Sequence, residues 1–148
     1  MKTIGRILLY SLISFYAGSV SAQVKQAAFK ALPANIAFSP AIFQQIFDAD
    51  ANSAIQLTFS DQFTFRGMVM SNRKPYPNLQ TVIVKTDKFQ NALLQFSKII
   101  GPDQQVSYTG KIIPMHATDG YSLKKDEKQQ YHLEKFELKN MLQDCSFN

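Results

Sequence analysis

Cysteine is almost absent from this chain: Cys145 is the only one in 148 residues. No internal disulfide can form, so the fold must rest on its apolar core. A lone thiol in an exported chain is expected to be buried and inert rather than a bridge to a partner. Glycine-rich phosphate cradles and the G-x-S-x-G nucleophile elbow are missing too, which removes two common sequence signs of nucleotide binding and serine-hydrolase chemistry. Charge is not massed anywhere. The formal net charge is +5, with acidic residues between many of the basic ones, a balance that serves solubility rather than binding to nucleic acid. No internal repeat, low-complexity tract or linker is visible. Beyond residue 22 no apolar stretch approaches the ~20 residues a membrane-spanning helix needs.

The start of the chain carries the clearest signal. Lys2 and Arg6 precede an apolar run from Ile7 to Ala17, and small residues follow at Gly18, Ser19, Ser21 and Ala22. A basic start, a short apolar core and a small-residue exit make up a cleavable secretory leader. Cleavage after Ala22 is expected, leaving Gln23–Asn148 as one exported domain, secreted or periplasmic. Gln23 stands where a bacterial lipoprotein would have its acylated cysteine. Loss of Lys2 and Arg6 lowers the formal charge from +5 to +3.

The period of the apolar residues then divides the domain. Gln23–Ala34 is a polar lead-in. Ser39 and Pro40 suit the cap and first position of a helix whose apolar face is Ile42, Phe43, Ile46 and Phe47. From Ile55 the period becomes two, and Leu57, Phe59, Phe63, Phe65 and Val69 fall on one side of two strands joined by a turn at Ser60–Gln62. Asn72–Asn78, with Pro75 and Pro77, reads as a loop. Leu79–Lys85 is a strand. Phe89–Ile100 fits helical and strand spacing alike, and the regular short strands on both sides favour the strand. Val106–Ile113, Tyr121–Lys124 and Tyr131–Phe136 continue the meander, with a loop at Pro114–Gly120. A short helix over Glu137–Asp144 closes it. The fold class expected is α+β, mostly β: a twisted antiparallel sheet or partly closed barrel of about six or seven strands, with a short helix near each end.

Residues able to carry chemistry are few. Asp48, Asp50 and Asn52 copy the opening of a calcium-binding loop, but Ser53 replaces its glycine and Phe59 its bidentate glutamate, so no calcium site is expected. His116, Asp119, His132 and Glu134 are the one set with metal-ligand chemistry, although the histidines lack tight local spacing. No cofactor motif is present. Asp144 beside Cys145 would hold its thiol protonated rather than activate it.

One segment has the composition of a binding surface. Arg66, Met68 and Met70 alternate with core positions and so point outward, unless the helix over Pro40–Phe47 covers them. Arg73, Lys74 and Tyr76 follow, with prolines stiffening the backbone about Tyr76. The function expected is therefore a non-catalytic exported domain that binds a protein, a glycan or an envelope component. Two alternatives stand beside it: a small hydrolase or metal-dependent enzyme using His116, His132 and the nearby carboxylates, and a barrel that encloses an apolar ligand, suggested by twelve phenylalanines.

Overall fold

A computed structural model describes residues Gln26–Lys139. The leader expected over Met1–Ala22, and Cys145, lie outside the described residues.

Alternating apolar positions build eight strands, here β1 (Asn35–Ala37), β2 (Ala54–Ser60), β3 (Phe63–Tyr76), β4 (Leu79–Lys85), β5 (Leu93–Ile100), β6 (Val106–Ile113), β7 (Asp119–Lys125) and β8 (Tyr131–Glu137). Strands β2 to β8 form an antiparallel meander, and β1 returns to pair with β8, so the order across the sheet is β1-β8-β7-β6-β5-β4-β3-β2. Strand β1 also packs beside β2 without pairing to it. The sheet is therefore a curled half-barrel with one short helix, α1 (Ala41–Phe47), packed into it.

The inner face follows from the two-residue period. Val82 and Val84 on β4, Leu94 and Phe96 on β5, and Ile112 on β6 are all fully buried. Gly110 sits opposite Phe96, and a β-carbon on it would run into the Phe96 ring, so only glycine lets that ring lie over β6. Helix α1 fills the curl. Ile42, Phe43, Ile46 and Phe47 are buried, and Phe43 stacks on Tyr108 with centroids 3.8 Å apart. Burying four such side chains supplies roughly 6–12 kcal/mol before conformational entropy is counted. The helix starts where Ser39 Oγ accepts from the Ala41 N–H at 3.3 Å. At its far end the Asn72 amide donates to the carbonyls of Phe47 and Ala49 at 3.0 and 2.8 Å, and Gln80 donates to Phe47 at 2.8 Å. Those carbonyls have no partner within the helix, and here β3 and β4 provide one.

The lead-in closes the other end of the barrel. Phe29 is buried against Phe63, Phe89 and Tyr121, with ring centroids 5.1–5.8 Å away. Lys135 Nζ donates to the carbonyls of Phe29 and Leu32 at 2.7 and 2.5 Å, and the Tyr121 hydroxyl donates to that of Pro33.

Several sequence expectations change. The strand number is eight rather than six or seven. The additional strand is β1, whose three residues are too short to show a period. Asn72–Asn78 is not a loop as a whole, because β3 runs on to Tyr76 and only Pro77 and Asn78 turn. Register shifts between Val69 and Ser71 and between Arg73 and Tyr76 absorb the irregularity. Strand β2 pairs no further along β3 than Met68, so the missing N–H of Pro75 breaks no ladder on that side. The ambiguous segment is a strand from Leu93, preceded by Phe89, Gln90 and Asn91 with φ of 47°, 56° and 57°. Strand β7 begins at Asp119, inside the segment expected as a loop. At the C-terminus Glu137 ends β8, paired with Asp119, and helical backbone starts one residue later than expected, at Leu138 and Lys139; the part of the expected helix from Asn140 onward lies outside the described residues.

Candidate functional site

The outer face of the sheet is fixed by the same alternation. Phe65 and Val69 point inward on β3, so Arg66 and Met68 point outward, and Met70 occupies the bulge before Ser71. Helix α1 lies on the opposite face and does not cover them. Met68 is 45% exposed and Met70 52%. Pairing continues the row: Met68 stands opposite Lys85, Lys85 opposite Leu93, and Leu93 opposite Ile113. At the strand spacing of ~4.8 Å the row spans about 14 Å. Leu93 is 36% exposed, and Met115, just beyond Ile113, is 55% exposed.

Next to this row the sheet opens. Strands β6 and β7 pair only at Lys111–Ser122 and Ile112–Tyr121. Past that point they separate, and the Tyr131 hydroxyl reaches across to accept from the Tyr108 N–H at 3.0 Å. A groove of about 570 Å³ lies there, with Gly110 and Leu123 in its lining and Leu93, Ile113, Pro114 and Met115 along its apolar side. Gln95, Ser97, Thr109 and Lys111 complete it. Burial, and then the neighbouring Tyr131, push the Tyr108 hydroxyl pKa upward.

The remaining expected surface residues are dispersed. Arg73 pairs with Thr81 and so faces outward farther along the hairpin. Lys74 and Tyr76 stand near its tip, where Lys74 borders a small hollow with Pro77, Asn78 and Lys98. Tyr76 is well exposed there, away from the Met68 row. Leu93, Ile113 and Met115 were not expected. Inward Leu94 and Phe96 imply an outward Leu93, but the row itself needs the cross-strand register.

The metal-type residues do not converge. Asp119 is buried on the inner side, and its two carboxylate oxygens accept from the backbone N–H groups of Ala28 and Phe29 at 2.7 and 3.0 Å. His132 and Glu134 lie on β8 opposite Ala37 and Asn35, at alternate positions to buried Leu133, and His116 is exposed in the β6–β7 connection. Among the described residues no three of His, Cys, Asp or Glu are grouped to hold a metal ion. In the acidic turn, Ser53 donates to the Asp50 carbonyl through both its N–H and its hydroxyl. Phe59 is a core residue between Phe38 and Phe63. A second groove, of about 590 Å³, lies at the barrel end between Asn35, Phe38, Pro40, Tyr131 and the β7–β8 turn.

No protein-family model, curated protein or solved structure matches the chain. Among the described residues no helix is long and apolar enough to cross a membrane.

Proposed function

We propose that this chain is a non-catalytic exported binding domain whose contact surface is the outer face of β3–β6. One observation carries the reading. The inner face is filled by the chain's own helix and aromatic rings, whereas Met68, Leu93 and Met115 stand exposed together on the outer face. An apolar group of that kind on a small domain marks a contact surface more often than a solvated one, and methionine adapts to partners of varied shape. The surface joins the expected Arg66, Met68 and Met70 to residues on three further elements.

The enzyme alternative draws less support, because Asp119 is taken up in holding the lead-in and the histidines are apart. The apolar-ligand alternative also draws less, since the space an enclosed ligand would need is occupied by α1, Phe29 and the core phenylalanines.

The test is sedimentation of the purified mature chain with an envelope fraction from the producing cell. Wild type should sediment with it, and Leu93→Glu should remain in solution while keeping its circular dichroism and melting temperature. Equal sedimentation of the two would remove the outer face from the account.

A further inference from the structure

The cations are scattered in sequence, yet the sheet collects some of them. Lys85 and Lys111 lie on the same face as Arg66, given by pairing with outward Met68 and by alternation with buried Ile112. Arg73 and Lys124 share that side, the second by alternation with inward Leu123. Among the described residues no carboxylate points outward from β3–β7. Asp61, Asp87, Asp103 and Asp126 all occupy turns at the sheet ends, Asp119 is buried on the inner side, and outward Glu134 stands beyond the face's edge, on β8 opposite Ser122. Apart from Tyr76 at the hairpin tip, no aromatic side chain points outward from these strands either.

That composition discriminates between partners. Protein hot spots are rich in Trp and Tyr, and neither stands beside the Met68 row. A face on which exposed Met and Leu side chains are interspersed with Lys and Arg, with no outward carboxylate on its strands, complements an anionic lipid surface. There the apolar side chains enter the acyl boundary and the long cationic stems keep their charge at the headgroups.

Resting on the binding reading above, we infer that the outer face of β3–β7 docks on a membrane surface rich in anionic lipid, with Met68, Leu93 and Met115 inserted and Arg66, Lys85 and Lys111 on the headgroup phosphates. Each cation near such a surface strengthens binding about fivefold. The attraction weakens with salt, since the Debye length falls from ~10 Å at 0.1 M to ~3 Å at 1 M.

The experiment is flotation of the mature chain with phosphatidylglycerol vesicles and, separately, phosphatidylcholine vesicles. The chain should float with the first and not the second. Lys85→Gln with Lys111→Gln should weaken binding roughly 25-fold, and Met68→Ser with Leu93→Ser about tenfold or more. Lys128→Gln, in the β7–β8 turn, should change it little. Circular dichroism on each variant separates lost binding from lost fold. Two results overturn the inference: no flotation with phosphatidylglycerol, or equal loss in Lys128→Gln and in the double lysine variant. If flotation fails while sedimentation with envelope persists and still depends on Leu93, the lipid assignment falls, an acidic macromolecule takes its place, and the binding reading stands. If both fail, the binding reading falls as well.

Discussion

Asp119 grips the lead-in beside Phe29: one carboxylate oxygen accepts from the Phe29 N–H at 3.0 Å and the other from Ala28 at 2.7 Å. Lys135 on the adjacent strand holds the Phe29 carbonyl at 2.7 Å, so the turn is fastened by both its donors and its acceptors. The Phe29 ring is thereby fixed among Phe63, Phe89 and Tyr121. A residue suited by type to a metal or to acid–base work is a structural clamp.

Asp119→Ala should accordingly lower stability by about 3 kcal/mol, because two charge-assisted bonds are lost and two N–H groups are left without partners. Asp119→Asn, which keeps one acceptor, should cost less. Urea unfolding followed by circular dichroism measures both.

Burial, and then the Asp119 carboxylate, push the Tyr121 hydroxyl pKa from 10.0 up to about 12. The neutral form is favoured in the folded chain, so this contribution is complete below pH 10 and is lost as pH rises from 10 towards 12. Urea midpoints should fall over that interval, and Tyr121→Phe should flatten the fall. An unchanged alkaline limb in the variant would show that Tyr121 is not its source.

Gly110→Ala should destabilise by roughly 1–3 kcal/mol through overpacking, since the new methyl meets the Phe96 ring and the Gln95 carbonyl. Adding Phe96→Leu should recover part of that loss, so that the double variant costs less than the two single costs together.

Asn72→Ala removes the amide that holds the Phe47 and Ala49 carbonyls. A loss of about 1–2 kcal/mol is expected, together with faster hydrogen exchange in the last turn of α1. Exchange confined to the β3–β4 hairpin tip would show that Asn72 does not anchor the helix.

Much of the fold could be read from period alone. Ile55–Phe59 and Phe63–Val69 alternate because one side of each packs on the core and the other meets solvent, and β-branched Val82, Ile83 and Val84 mark Leu79–Lys85 as a strand without such alternation. Pro75 suggests a loop in the sequence, yet proline interrupts a ladder only on a side where a neighbour pairs, and β2 has ended by that point. The aim of Asp119 was illegible for a different reason. Its partners lie ninety or more residues away in sequence, at Ala28 and Phe29, and no local pattern reports so long a link. The outer face was half legible: alternation exposed Arg66 and Met68, but their neighbours Leu93, Ile113 and Lys111 emerge only from the cross-strand register.

The most direct test of the outer-face account is the oxidation of Met68, Met70 and Met115 by dilute peroxide, read by peptide mass in the free chain and in chain sedimented on the envelope fraction. All three should oxidise readily in the free chain, and Met68 and Met115 should slow several-fold in the bound chain. Equal rates for Met68 and Met115 in the free and bound chain would contradict the account.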